Sequence, residues 1–346
     1  MALTWLAEPT VNALRAALHT VAPQLADGTI TPRNLEPSDD PQWCTASADI
    51  DGRFVVKFAW AHPPALRIRH QIRMLDALRA AAPRLPLPTV VAASTDPAML
   101  VTRRAAATPF FAVRHLIGPA DRQNAANELA TLLAHLHDPG VLKAVSETMG
   151  TLPEPMAHAS TETLRARFGP LIRPNQRDRV MNWCDWADQA LTAPGRTVLV
   201  HGDLHGDNHL WTREPPRLNL VIDWETAGTG EPEFDLRCLP ADCDIELFTA
   251  TVAQYERLSG TTVDMDRIMA WHLRTVLGDA LWRAEAGIAL PDHRTPAQWV
   301  DDLNARFTAL ATFGQEAARE EAARVRGRST PAHGHTPSAP HRGHHG

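Results

Sequence analysis

Lysine is nearly missing from this chain. Of its 34 basic residues only Lys57 and Lys143 are lysine, so each marks a place where arginine has not been used. Cysteine is sparse too. Cys44, Cys184, Cys238 and Cys243 are scattered, and the CxxxxC spacing of the last two fits neither a zinc ribbon nor a redox CxxC pair, which argues against a disulfide scaffold. No apolar run approaches the roughly 20 residues that span a bilayer. The opening, MALTWLAEPTVNALR, has no basic stretch ahead of an apolar one, and the chain reads as soluble, cytoplasmic and without a membrane partner. Basic charge is not in surplus either: 34 Lys plus Arg stand against 40 Asp plus Glu, a formal charge of −6. Nucleic acid is therefore not expected as a partner, since binding it takes a basic surface that displaces counterions. What is present is globular, with 44% hydrophobic and 21% charged residues in 346 positions, enough for two lobes.

Residues 9–20 place apolar side chains at helical spacing behind Pro9. Strands follow at 29–37, 44–50 and 53–60, the last two joined at Asp51-Gly52, a strong hairpin-turn pair. Residues 64–80 form a helix with Leu66, Ile68, Ile72, Leu75 and Leu78 largely on one face, and strands return at 88–94 and 98–104. This is an α+β N-terminal lobe, residues 1–104. From 105 to 324 the pattern is mostly helical, with helices at 120–138, 174–192, 233–258, 264–287 and 296–324 and a small β island at 197–210 and 217–225. Residues 325–346 are rich in Gly, Pro, Ser and His, have almost no bulky apolar side chain, and read as a disordered tail.

The stretch VLVHGDLHGDNHLW carries the chemistry. An apolar strand delivers His201, Asp203 and Asn208 onto a loop in the spacing HxDxxxxN, and a second apolar strand, LNLVIDWE, delivers Asp223. Phosphoryl transfer needs this set of oxygens: a carboxylate to orient an attacking hydroxyl and take its proton, and hard ligands, one of them an uncharged amide, to hold Mg²⁺ against a triphosphate. Asp203 is the candidate base; Asn208 and Asp223 are the candidate metal ligands. Taken alone, the loop spacing occurs readily by chance. Asp223, 15 residues after Asn208, strengthens it. So does Lys57, set in the otherwise apolar strand FVVKFAW, where a lysine is costly without a charged partner; the plain alternative is an edge lysine that discourages aggregation.

These residues resemble the aminoglycoside phosphotransferase family, within the wider protein-kinase-like fold. The resemblance rests on HGDLHGDN (201–208), VIDWETAGTGEPEFDL (221–236), the lysine strand and the helix ELATLLAHLHD (128–138), and covers roughly residues 25–310. It implies a bilobal α+β fold, with a small antiparallel sheet and one helix in an N-terminal nucleotide-binding lobe and a larger, mostly helical C-terminal lobe for catalysis and acceptor binding. It further implies that Lys57 contacts the α- and β-phosphates of ATP or GTP, that Asp203 is the catalytic base, and that Asn208 and Asp223 bind Mg²⁺. Val101 to Arg103 would form the hinge against the base of the nucleotide, and Asp235 would brace the catalytic loop.

Two departures stand out. The helix after the lysine strand has Gln71 where the family offers a glutamate to that lysine, with Asp76 the only acid nearby; and the first hairpin has no glycine, while Asp39 and Asp40 would repel phosphate if they faced it. Both departures favour a nucleotide-binding pseudokinase as the alternative from another class. His201, His205 and His209 could also be read as the cluster of a zinc hydrolase, but Gly202, Gly206 and the intervening aspartates read as loop. The acceptor must come from the helical half. Residues 201–290 hold 16 acids against 7 arginines, a charge of −9 that leaves +3 for the rest, and a cleft of one sign concentrates ligands of the other. A polyhydroxylated cation such as an aminoglycoside fits, as do another antibiotic such as a macrolide, a sugar, an amino-alcohol or another small metabolite. Trp271, Trp282, Asp279 and Glu285 share one helix; core packing is the better reading of them than an acceptor pocket.

Overall fold

The computed structural model describes residues 2–35, 44–155 and 159–328. The glycine-free loop with Asp39 and Asp40 lies outside these, as does the tail from residue 329 onward. The helix that precedes the tail continues to Arg328, past the expected boundary at 325, because its run of Ala, Glu and Arg strongly favours helix.

Helix α1 (Val11–Val21) starts where Thr10 accepts the Ala13 N–H. Strands β1 (Ile30–Asn34), β2 (Thr45–Ile50), β3 (Phe54–Ala59), β4 (Val90–Thr95) and β5 (Ala98–Arg103) form one antiparallel sheet in the order β1-β2-β3-β5-β4. The three-residue β2–β3 connection has Asp51 and Gly52 both left-handed, at φ 53° and 64°, with the Arg53 N–H given to the Ile50 carbonyl at 3.0 Å; aspartate and glycine are residues that enter this region readily. Alternation sorts the sheet into two faces. Ala48, Ile50, Val56, Phe58, Met99 and Val101 pack with Leu14 and Leu18 of α1, whereas Ala59, Ala98 and Leu100 pack with α2 (His62–Ala81) through Ile68, Leu75 and Leu78. Lys57 pairs across the ladder with Ser47 and Leu100, on the α2 side.

After β5 come β6 (Thr108–Pro109), α3 (Phe110–Val113), α4 (Pro119–Leu136), α5 (Pro139–Met149), α6 (Thr161–Arg167) and α7 (Arg177–Ala190). Helices α5 and α6 are absent from the sequence reading. Yet α5 carries its own punctuation, with Asp138 accepting the Gly140 N–H ahead of Pro139 and Gly150 at φ 82° after it. Strand β7 (Val198–Val200) pairs with β10 (Gly228–Gly230), and β8 (His209–Arg213) with β6 and β9 (Pro216–Val221). The expected helix over 233–258 is three pieces: α8 (Pro232–Leu236), α9 (Leu239–Asp242) and α10 (Ile245–Ser259). Cys243 is extended and Asp244 caps a new start by accepting the Leu247 N–H, so side-chain competition for backbone groups breaks the run. Then follow α11 (Met265–Ala286) and α12 (Pro296–Arg328). One core joins α2, α4 and α10 around β7 and β8, with Leu133, Leu199, Trp211 and Phe248; a second joins α6, α7, α11 and α12, with Leu164, Cys184, Leu277 and Leu303. Among the described residues no helix is long and apolar enough to cross a membrane.

Candidate active site

Three segments meet at one place: Lys57 on β3, the loop 201–208 between β7 and β8, and the turn that follows β9. The Lys57 ammonium lies 2.7 Å from Asp223 Oδ1 and 3.0 Å from Glu225 Oε2. Burial pulls the lysine toward its neutral form, but the two carboxylates outweigh it and hold the ammonium charged well above its ordinary range. Burial likewise pushes the Asp223 carboxyl up, and the adjacent Lys57 brings it below its usual value. Both members of the pair are thus ionised. Lys57 was expected to lack a glutamate, and it does lack one from the helix. Gln71 is buried on α2 with its Oε1 unpartnered, while Asp76 pairs instead with Arg79 at 3.1 Å. The partner missing from the sequence reading is Glu225, two residues after Asp223; the signal was the acid in IDWE.

The catalytic-loop candidates are held by a buried network. Asp235, on α8, accepts the backbone N–H groups of His201 and Gly202 at 2.8 and 2.9 Å. It also receives His137 Nε2 at 3.2 Å, and the other nitrogen of that ring meets the Tyr255 hydroxyl. Arg237 donates to the Gly202 carbonyl at 2.9 Å. Gly202 has φ 84°, and a Cβ there would stand 2.6 Å from the Thr226 carbonyl oxygen, so only glycine fits. His201 accepts the Asp203 N–H on Nδ1 at 3.2 Å and donates from Nε2 to the Ile222 carbonyl at 2.8 Å. Those two bonds fix the neutral tautomer, and burial lowers its proton affinity in agreement.

On this frame Asp203 remains open to solvent, its side chain 45% exposed. Asn208 donates from Nδ2 to the Asp203 carbonyl at 2.8 Å and to its carboxylate at 3.3 Å, so the two candidates are neighbours. Asn208 N and O are bonded to His205 and Ile222, which fixes the amide beside the Asp223 turn. The donors fit a hard cation: one neutral amide oxygen and one ionised carboxylate. The proposed hinge residues sit differently. Val101 is fully buried against α1, and the Arg103 guanidinium lies 5.9 Å over the Phe54 ring on the same outer face, while the Arg103 backbone N–H donates to the Thr89 carbonyl. Leu100 and Thr102, opposite Lys57 and Val55, face inward instead.

The histidine cluster does not converge. His201 has spent both nitrogens. His209 is buried, takes the Trp211 indole N–H on Nδ1 at 2.8 Å, and is pushed by burial down to about 3. Among the described residues no group of three His, Cys, Asp or Glu could hold a metal ion, which leaves the zinc-hydrolase reading without support. Much of the acid in 201–290 is also engaged: Glu231 with Arg267, Asp244 with Arg122, Asp279 with Arg283 and Glu285 with Arg167. Trp271 packs edge-on against Phe234 and donates to Glu231, in keeping with core packing.

Residues 43–271 match the phosphotransferase enzyme family known as APH. The match takes in well over half of the chain, which belongs to that family. Over 145 residues the chain is 31% identical to viomycin phosphotransferase from Streptomyces vinaceus, covering 40% of this chain and 48% of that protein; it spans about half the length of that relative. The GDP complex of wild-type aminoglycoside 2'-phosphotransferase-IIIa superposes with a TM-score of 0.63 at 17% identity, over 86% of this chain and 98% of that one. A macrolide 2'-phosphotransferase from Brachybacterium faecium does so with 0.54 at 22%, over 85% and 98%. These likenesses show the protein-kinase-like fold.

Proposed function

We propose that this member of the phosphotransferase enzyme family moves the γ-phosphoryl group of ATP or GTP onto a hydroxyl of an antibiotic or a related small polyol or amino-alcohol. Residues 1–104 would hold the nucleotide, and residues 105–324 would carry the catalytic loop and the acceptor. The observation that carries this reading is the approach of Lys57 on β3 to Asp223 across 2.7 Å, with Asp203 and Asn208 on the adjoining loop. Asp203 orients the acceptor hydroxyl and takes its proton as the new oxygen–phosphorus bond forms and the bond to the β-phosphate oxygen breaks. Lys57 contributes positive charge to the phosphates. Asn208 and Asp223 would hold Mg²⁺, which neutralises charge on the triphosphate. No proton needs to come from His201, whose nitrogens are committed to the frame.

A cationic acceptor such as an aminoglycoside suits the acid left over in the helical half, and viomycin is a candidate from the name of the relative that shares 31% identity; a macrolide or choline-like amino-alcohol is the next class to try. The test is nucleotide consumption with Mg²⁺ across aminoglycosides, viomycin, macrolides, sugars and amino-alcohols, with product mass as readout. Phosphorylated acceptor is the expected result. Nucleotide binding with no transfer to any of these would overturn the reading in favour of a pseudokinase.

A further inference from the structure

The turn after β9 puts two carboxylates on one lysine, and the second has no part in the chemistry above. Glu225 is engaged on both sides: Oε2 meets Lys57 at 3.0 Å and Oε1 meets Arg67 Nε at 3.4 Å. Arg67 lies on α2, where it also reaches Thr45 Oγ1 on β2 at 3.5 Å. One helical turn along, His70 Nε2 meets the Ala227 carbonyl at 2.7 Å. Helix α2 is therefore fastened to the turn at two points, and what it brings to the lysine site is a cation. The helix position one turn beyond Arg67 is the neutral, buried Gln71.

We infer that Glu225 is the positioning residue for Lys57, held in place by Arg67, so that the acid which aims the lysine comes from the metal-binding turn and not from the helix. This rests on the phosphotransferase reading above. In that reading Asp223 serves a cation, and a carboxylate so committed has less to offer Lys57. Glu225 keeps the ammonium aimed when Asp223 is otherwise occupied. Its two oxygens face two cationic side chains, which leaves it poorly disposed to act as a cation ligand itself. Arg67 reaches the lysine through Glu225, so on this inference its effect on nucleotide falls away when the Glu225 charge is gone.

That dependence gives the test. Calorimetric titration with the magnesium complexes of non-hydrolysable ATP and GTP analogues would be run on wild type, Glu225→Gln, Arg67→Met, Arg67→Lys and the Glu225→Gln/Arg67→Met double variant. Expected are a loss of about tenfold for Glu225→Gln, about threefold for Arg67→Met, little for Arg67→Lys, and a double variant no weaker than Glu225→Gln alone, since groups acting through one another are not additive. A destabilised fold would shift unfolding temperature without producing this coupling. Equal cost of Arg67→Met in both backgrounds overturns the inference, as does wild-type affinity in Glu225→Gln, or a loss of magnesium dependence in that variant. Should Glu225→Gln fail to fold, Arg67→Met against Arg67→Lys decides: equal affinities for the two sink the idea. Wild type that binds neither analogue overturns the phosphotransferase reading itself and the inference with it.

Discussion

His201 donates its Nε2 proton to the Ile222 carbonyl across 2.8 Å, and that bond joins the residue two places before Asp203 to the residue immediately before Asp223. The candidate base and the candidate metal ligand are thereby set against each other by a side chain whose two ring nitrogens are both committed to backbone groups. Replacing the ring by His201→Phe keeps its bulk and takes a partner from two partly buried backbone groups, the Asp203 N–H and the Ile222 carbonyl, each at a cost of about 1 kcal/mol. Turnover should fall by up to about 10²-fold, as misplacement of reacting groups does. Urea unfolding and kcat on the same preparation check this; unchanged turnover would separate the frame from the chemistry.

Asp203→Ala is expected to lower kcat by roughly 10² to 10⁴ while leaving nucleotide affinity near wild type, because the carboxylate acts on the acceptor hydroxyl. Steady-state kinetics beside nucleotide titration read the two effects separately. Full turnover in the variant would remove Asp203 from the role of base.

Asp223→Asn takes a full charge from a ligand of a hard cation and from the pair with Lys57. Nucleotide binding should lose most of its dependence on magnesium. Titration with and without the metal shows it, and metal analysis of the purified protein tests the rival: stoichiometric zinc, lost in His205→Ala and indifferent to Asp223, would reinstate the hydrolase.

Gln71→Glu, on sequence grounds, should supply the missing acid and tighten nucleotide binding. The structure reverses that expectation, since Lys57 already has two carboxylates. A third, buried on α2, should destabilise the fold by about 1–3 kcal/mol and leave nucleotide affinity unimproved. Calorimetry on both forms decides, and a gain in affinity would show that Gln71 faces the lysine after all.

Stability should depend on pH through three fully buried groups. Burial pushes His209 and His272 down to about 3, so their contribution is present above the unfolded value near 6.5 and is lost as pH falls toward 3. Burial pushes Asp242, which accepts the Gly206 N–H, up to about 8; its contribution is present below its unfolded value near 4 and is lost as pH rises through 8. The histidines and the aspartate oppose one another below 6.5, and from 6.5 to 8 Asp242 acts without them. Wild type should lose about 2 kcal/mol over that upper interval, and Asp242→Asn should not. Denaturant unfolding at pH 6.5 and 8.5 measures the difference.

The site was legible where one residue type served one purpose. A lone lysine in an apolar strand, an HxDxxxxN loop and an acid at a strand end all stand out because burying or clustering such groups is costly without a function. Asp235 stood out only through the family resemblance, and it lies buried under the loop, accepting from the His201 and Gly202 N–H groups. For the hinge, what the sequence did not show is direction: Val101 and Arg103 are strand residues whose side chains lie on the α1 face, and register cannot be read from a short apolar run alone. Glu225 was hidden by proximity, since an acid beside Asp223 looks like part of the same ligand set until three-dimensional pairing assigns it to Lys57 and Arg67. Helix α6, seven residues long, is too short to show a strong period, and α5, eleven residues long, is marked by its end signals at Asp138-Pro139 and Gly150 more than by its apolar pattern; the break of 233–258 was hidden because capping by Asp244 competes with an apolar pattern that continues through it.

Asp223 has φ 63° and ψ 47°, a left-handed conformation that aspartate, asparagine and glycine enter readily and most other residues do not. The backbone thus screens what can stand at this position before any ligand is bound. Asparagine passes the screen and removes the charge; glutamate keeps the charge and fails it. Loss of the Asp223 charge should therefore arise most easily through changes that keep the turn intact, so that the backbone around the site would look the same whether or not the carboxylate is there.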